Sequence, residues 1–374
     1  MGGTIVIGRI FGIDIKIHFS WVLIFILVAW SLANTEFKTD YPDWGVNVRW
    51  GLGILGSILL FSSVLFHELS HSILAMVRGH KVRGITLFIL GGVSEIEEEA
   101  HKPGEEFWIA FVGPLSSFFL GGVFYLLAWQ TEGVNDYVHA LSAYLSFINL
   151  ALGVFNLIPG YPMDGGRVLK AAVWRATGSV SRATRVASRS GMVVAFLMMA
   201  GGLGLAFIWD SWSGLWLVLI GWFLMSAASS TRRQEAVRAH LSGRRVRDAM
   251  RSGYPSAPPG ISVQRLVDEY MARGFERTYL VVLGDTVHGL VSAADVALVP
   301  PEERHSKYVT EIMVRPPNIA FVSPDDPLEA AMQKMSAGEF HQLPVLENGK
   351  PVGMVSRGDV MRVLELSSLV GPRK

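Results

Sequence analysis

The sequence predicts a polytopic α-helical membrane domain, six transmembrane helices with a short β-hairpin, followed by a cytosolic α/β pair of repeated units. Three observations carry this. Up to about Ser230 the chain is a series of apolar runs, whereas the remainder has the polarity of an ordinary soluble protein. A helix needs about 20 apolar residues to cross a bilayer core, and six runs qualify: 18–35, 51–78, 106–129, 138–158, 190–209 and 212–230. The polar tail repeats itself. Val246-Arg247-Asp248-Ala249-Met250 matches Val309-Thr310-Glu311-Ile312-Met313, and the segment from Gly289 to Asp295 matches that from Gly353 to Asp359, at offsets of 63 and 64 positions. The predicted boundaries are a membrane domain over 1–230, a helical linker over 231–243, and repeats over 244–303 and 304–374.

Residues 4–17 alternate and are rich in Ile, which predicts short strands before the first span. They are too mixed for a cleavable signal. Between the second and third spans, 82–90 reads as a strand, Gly91-Gly92 as a break and 93–97 as a second alternating segment. This is a hairpin too short to cross a bilayer. It is either an edge that receives an extended peptide by strand addition or a plain cytoplasmic hairpin. Glu95 to Glu99 read as a solvated acidic face. In the third span, Pro114 among small residues predicts close helix packing, with a kink lining a water path as the competing reading.

Basic residues set the expected orientation. Arg167, Lys170, Arg175, Arg182, Arg185 and Arg189 fall between the fourth and fifth runs, and Arg232, Arg233 and Arg238 follow the sixth. The links at 130–137 and 210–211 carry no Lys or Arg. Six spans then place both termini in the cytoplasm of a multi-pass protein of the cell membrane.

The 374 residues carry a net charge of +1 and show no basic stripe, so no nucleic-acid partner is expected. There is no cysteine, which excludes disulfides, thiol nucleophiles and thiolate metal sites. Any metal must be held by His, Asp or Glu.

The second run contains Phe66-His67-Glu68-Leu69-Ser70-His71. Residues four apart share a helix face, so His67 and His71 can hold one ion while Glu68 takes a proton from a water beside it. Such groups are expensive in hydrocarbon, which favours a functional account over a chance match on a surface helix. A catalytic zinc site usually has three protein ligands. The candidate for the third is Asp164, in Asn156-Leu157-Ile158-Pro159-Gly160-Tyr161-Pro162-Met163-Asp164-Gly165-Gly166-Arg167. Pro159 and Pro162 end the fourth helix, and a helix broken at membrane depth is tolerated where it lines a cavity. The alternative role for Asp164 is the N-cap of a helix over 165–176. Asn156 either donates to an oxyanion or bridges helices.

These two motifs resemble those of the site-2 protease family of intramembrane zinc metalloproteases, as do Ile15-Lys16-Ile17-His18-Phe19-Ser20 and the Gly-Gly hairpin. The resemblance implies one Zn2+ per chain bound by His67, His71 and Asp164, with Glu68 as catalytic base. It implies that Asn156 helps hold the substrate or the oxyanion. The activity implied is cleavage of a transmembrane segment in a single-span protein substrate. The family's Gly-Pro-x-Ser-Asn pattern reads here Gly113-Pro114-Leu115-Ser116-Ser117 without its final Asn, so no catalytic role is carried to that segment.

In the tail, each copy holds a helix-like segment (263–273, 327–337) and two strands (279–283 and 287–292; 342–346 and 351–356). This resembles a tandem CBS domain pair. The resemblance implies a regulatory adenine nucleotide, ATP or AMP, with Ser292 and Ser356 facing phosphate and Asp295 and Asp359 taking ribose hydroxyls. It also admits a homodimer through these domains. The alternative is that each Ser and Asp only caps the helix that follows. A CBS-gated ion channel or transporter is the competing function. The polar groups fall at metal-ligand spacing and the six runs show no inverted repeat, both of which count against it.

Overall fold

The computed structural model describes residues 3–96, 100–208, 213–241, 243–272, 274, 276–338 and 340–370. The chain forms two compact units, Met1–Glu235 and Ala236–Lys374.

In the first unit, strands β1 (Thr4–Ile10) and β2 (Ile13–His18) pair antiparallel around a Phe11-Gly12 turn, both residues at positive φ. Helix α1 (Ser20–Ser31) runs through a π-turn (Leu32–Glu36) into α2 (Phe37–Asp40). Then follow α3 (Val46–Val77), strands β3 (Val82–Phe88) and β4 (Gly91–Ile96), α4 (Pro103–Thr131), α5 (Asp136–Asn156), α6 (Asp164–Thr177), α7 (Val180–Ile208) and α8 (Ser213–Leu241). Six stretches are long and apolar enough to cross a membrane: Ser20–Asp40, Val46–Val77, Pro103–Thr131, Asp136–Asn156, Val180–Ile208 and Gly214–Arg233. The predicted polytopic helical region is therefore present.

The helices overrun the apolar stretches that reveal them. Helix α7 starts at Val180, so Arg182, Arg185 and Arg189 lie on a helix, and Arg167, Lys170 and Arg175 lie on α6. The hydrocarbon core limits only the apolar part of a helix. Its ends continue into the interface, where charged side chains are solvated.

The two N-terminal strands and the hairpin form one sheet in the order β1-β2-β3-β4. Strand β2 pairs parallel with β3, Ile15 opposite Ile85. Ile13, Ile15 and Ile85 are buried against Leu65 and Leu69, which seats the sheet beside the His67 turn of α3. Strand β4 is the outer strand on that side. The hairpin turns at Ile89-Leu90 rather than at Gly91-Gly92, and both glycines belong to β4, Gly92 opposite Leu87. Of the expected acidic face, Glu95 pairs with Lys16 at 3.0 Å, and Glu97, Glu98 and Glu99 lie outside the described residues. So do positions 209–212 between the last two spans, position 242 of the expected linker and position 273 of the first repeat.

The inward stripe of α3 is Gly53, Gly56, Ser57, Phe61, Ser63, His67, His71, Ser72 and Ala75. At 100° per residue these positions all fall on one side of the helix. Small residues there let helices approach closely, as membrane interfaces require. Helix α4 carries Pro114 in its interior without a break and buries Ile109, Gly113, Ser116 and Ser117.

The second unit contains the predicted α/β pair. One sheet has the order β6-β7-β8: β6 (Ser256–Ala257), β7 (Thr278–Leu283) and β8 (Thr286–Ser292). The other has the order β5-β10-β9: β5 (Arg251–Ser252), β9 (Gln342–Glu347) and β10 (Lys350–Ser356). The helices are α9 (Val263–Arg265, extended by a π-turn to Met271), α10 (Ala293–Ala297), α11 (Val309–Ile312), α12 (Leu328–Ala337) and α13 (Arg357–Val370). The copies exchange their leading segments. Arg251 pairs with Met354 of the second copy, and Val314 pairs with Leu290 of the first. Val246 and Ala249 accordingly pack in the core that holds Leu328, Leu343 and Val355. Val309 packs with Val263, Val281 and Val291.

Candidate active site

His67 and His71 lie one turn apart on the inward face of α3, each 3% exposed. Helix α5 ends at Asn156, the chain turns through residues 157–163, and α6 starts at Asp164. The N-cap position belongs to Met163, in extended backbone. Asp164 sits in the first helical turn with its carboxylate on the imidazoles. Its Oδ2 is 3.0 Å from His67 Nε2 and 3.1 Å from His71 Nε2, and the two Nε2 atoms are 3.2 Å apart. Among the described residues this is the one group of three His, Asp or Glu side chains converging closely enough to share an ion.

The surroundings fit a metal. His71 Nδ1 donates to the Ile109 carbonyl at 2.6 Å. A carbonyl only accepts, so the hydrogen is on Nδ1 and a neutral ring turns a lone pair on Nε2 toward Asp164. His67 Nδ1 lies 2.9 Å from Ser117 Oγ, so its outer nitrogen is engaged as well. Outer partners of this kind are what orient ligating histidines. Without a cation, a lone pair and a carboxylate oxygen would face each other at contact distance. Tetrahedral zinc with ligands at 2.0–2.1 Å separates its donor atoms by roughly 3.3 Å, close to the spacing found. Room for an ion is preserved by Gly113: a Cβ there would lie 2.1 Å from His71 Nε2 and 2.8 Å from His67 Nε2.

Glu68 is half-buried on the neighbouring face of α3. Its Oε2 accepts from Ser94 Oγ of β4 at 2.7 Å. A Cβ at Gly92 would come within 2.6 Å of Glu68 Cγ. The glycine expected to break the hairpin instead permits its outer strand to lie against Glu68.

Asn156 Nδ2 donates to the Leu152 carbonyl of its own helix at 3.1 Å. Ser117, Ser94 and the Ile109 carbonyl were not singled out from the sequence as partners of the site. The departure from the Gly-Pro-x-Ser-Asn pattern at Ser117 was the one local signal, because it marks a position whose side chain matters to its surroundings.

In the second unit, Ser292 and Asp295 form a capping box on α10: Ser292 N and Oγ donate to Asp295 Oδ2 at 2.8 and 2.6 Å. Ser356 and Asp359 bond in the same way at the start of α13. Asp359 is 5% exposed and also meets Arg251 Nε at 3.3 Å. A cavity of about 590 Å³ lies between the copies, lined by Arg277, Ser292 and Ala294 from one and His341, Gln342 and Arg357 from the other. Asp295 and Asp359 do not line it.

The profile of peptidase family M50 matches residues 55–140 and 132–200, and that of the CBS domain matches residues 309–366. Rip3 of Mycobacterium tuberculosis (strain H37Rv) is 34% identical over 376 residues, spanning 100% of this chain and 95% of its own. The protein sll0528 of Synechocystis sp. is 32% identical over 376 residues, spanning 98% of this chain and 97% of its own. Among solved structures, the site-2 protease from Methanocaldococcus jannaschii is 29% identical, with a TM-score of 0.43 over 61% of this chain and 95% of its own. Full-length similarity at this level, over a chain that has six membrane-length helices and brings two histidines and an aspartate together, means that the protein belongs to peptidase family M50, the site-2 zinc metalloproteases, with a C-terminal CBS domain pair.

Proposed function

We propose that the chain hydrolyses a peptide bond within a transmembrane segment of a single-span protein, with His67, His71 and Asp164 holding one zinc ion and Glu68 as general base. The observation that carries this is the convergence of two Nε2 atoms and one carboxylate oxygen at 3.0–3.2 Å, with both Nδ1 atoms engaged by α4. When bound, zinc supplies Lewis acidity to water and to the scissile carbonyl.

The chain's own groups do the remainder. Glu68 accepts the proton of the attacking water and returns it to the leaving amine. Ser94 donates to one Glu68 oxygen, which orients the carboxylate. The outer edge of β4 pairs with substrate backbone as it unwinds, since an extended peptide needs main-chain partners once its helical bonds are lost. Asn156 either serves the oxyanion or keeps to the Leu152 carbonyl and stabilises the end of α5.

The positive-inside pattern supports a protein of the cell membrane with both termini in the cytoplasm. The cavity between the repeats has the size of a small-ligand site and supports an adenine nucleotide there as regulator. Self-association through the repeats is a further role of that unit. The test is metal analysis together with cleavage of a panel of single-span membrane peptides by the purified full-length protein. One equivalent of zinc and cleavage that stops with Glu68→Gln are expected. Native turnover by metal-free protein, or by Glu68→Gln, rejects the reading.

A further inference from the structure

We infer that Glu106 is a positioning residue for the third metal ligand: it locks α6 in register on α4 through Arg167, and so sets where the Asp164 carboxylate lies. This rests on the metal reading above.

Helix α6 follows a broken segment; Gly165 and Gly166 let its first turn lie on the backbone of Leu157 to Tyr161, and contacts beyond that turn set how the rest of the helix faces α4. Asp164, Arg167 and Lys170 stand three residues apart and share one face. The first meets the imidazoles. Arg167 Nε donates to Glu106 Oε1 at 3.1 Å and its Nη2 to Oε2 at 3.4 Å. Lys170 Nζ is 3.8 Å from the same carboxylate. A guanidinium fork on a carboxylate fixes direction as well as distance.

Glu106 is 3% exposed and Lys170 5% exposed. Burying such charges is a poor way to gain stability, because desolvation offsets the attraction. It is a good way to specify one arrangement among several that pack equally well.

Position on α4 strengthens the case. Glu106, Ile109, Gly113 and Ser117 run at spacings of three and four along one stripe. Ile109 and Ser117 hold the outer nitrogens of His71 and His67, and Gly113 leaves room at their inner ones. Glu106 completes the set by holding the helix that bears the third ligand. Helix α4 donates no ligand, yet it templates all three.

The test is the zinc dissociation constant of the purified full-length protein, measured by chelator competition, for Glu106→Gln, Arg167→Gln, their double variant and Arg167→Lys. Apo-protein melting is followed in parallel, and Arg9→Gln, which breaks an exposed pair with Asp14, serves as control. Each single variant should weaken zinc by about 10- to 100-fold, the range for outer partners of metal ligands. The double variant should be no worse than the weaker single, Arg167→Lys should recover part of the loss, and the control should match native. Apo melting should fall in the single variants, each of which leaves a buried charge unpaired, and by less than their sum in the double variant. Dissociation constants within twofold of native overturn the inference. So do additive losses, or zinc losses confined to temperatures at which the apo variants begin to unfold. A native protein that binds no zinc removes instead the metal reading beneath it.

Discussion

Ser94 Oγ donates to Glu68 Oε2 at 2.7 Å, and Ser72 Oγ donates in turn to Ser94 Oγ at 3.1 Å. The outer strand of the sheet is thereby tied to the residue beside the histidine pair. On the reading proposed above, substrate pairing at that edge and orientation of the base would be mechanically linked.

Removing this tie should impair chemistry more than binding. Ser94→Ala is expected to lower kcat about 5- to 10-fold, the equivalent of about 1–1.4 kcal/mol, with KM and zinc content unchanged. Steady-state kinetics on a cleaved membrane peptide checks this. A change confined to KM would assign Ser94 to substrate pairing instead.

Glu68→Gln and Asp164→Ala should separate catalysis from metal binding. The first is expected to keep zinc and lose about 10²- to 10⁴-fold in turnover, the usual contribution of a general base. The second should lose zinc along with activity. Metal analysis by mass spectrometry on both proteins gives the answer, and equal zinc loss in the two would contradict the division of roles.

Gly113→Ala should be among the most damaging one-carbon changes in the chain. The added methyl lies 2.1 Å from His71 Nε2, inside van der Waals contact, so either the ring or α4 must move. Zinc affinity is expected to fall by about 100-fold or more, read by the same chelator competition. Near-native affinity would show that α4 yields at this point.

Ser117→Ala removes the partner of His67 Nδ1 without adding bulk. Zinc affinity should fall by about tenfold, while the protein stays folded, as circular dichroism would report. An unchanged dissociation constant would leave Ser117 as an ordinary helix-packing serine.

In the second unit, Asp295→Ala and Asp359→Ala each remove a capping box worth about 1 kcal/mol. Asp359 also holds Arg251 of the exchanged strand β5, so its loss should lower the melting temperature of this unit more than that of Asp295. Thermal unfolding of the two variants tests the order. Equal shifts would mean that the Arg251 contact contributes nothing.

The sequence by itself determined the spans, the repeat and the histidine pair, because each is a local regularity. Length of apolar run, copy offset and an i, i+4 spacing are all written in neighbouring residues. It reached Asp164 by chemistry, since two imidazoles leave zinc short of a ligand. The hairpin was legible as two strands, but its turn was misplaced: Gly91 and Gly92 signalled a break, whereas β4 needs Gly92 to approach Glu68. Only the tertiary structure decided what surrounds the site. Ser117 reaches His67 across 50 positions, Ser94 reaches Glu68 across 26, and Glu106 reaches Arg167 across 61. The parallel pairing of β2 with β3 and the exchange of leading segments between the repeats are likewise non-local. A serine, a glycine or a glutamate carries no mark of its partner. That choice follows from how helices separated in the chain pack side by side, and packing is a property of the folded whole.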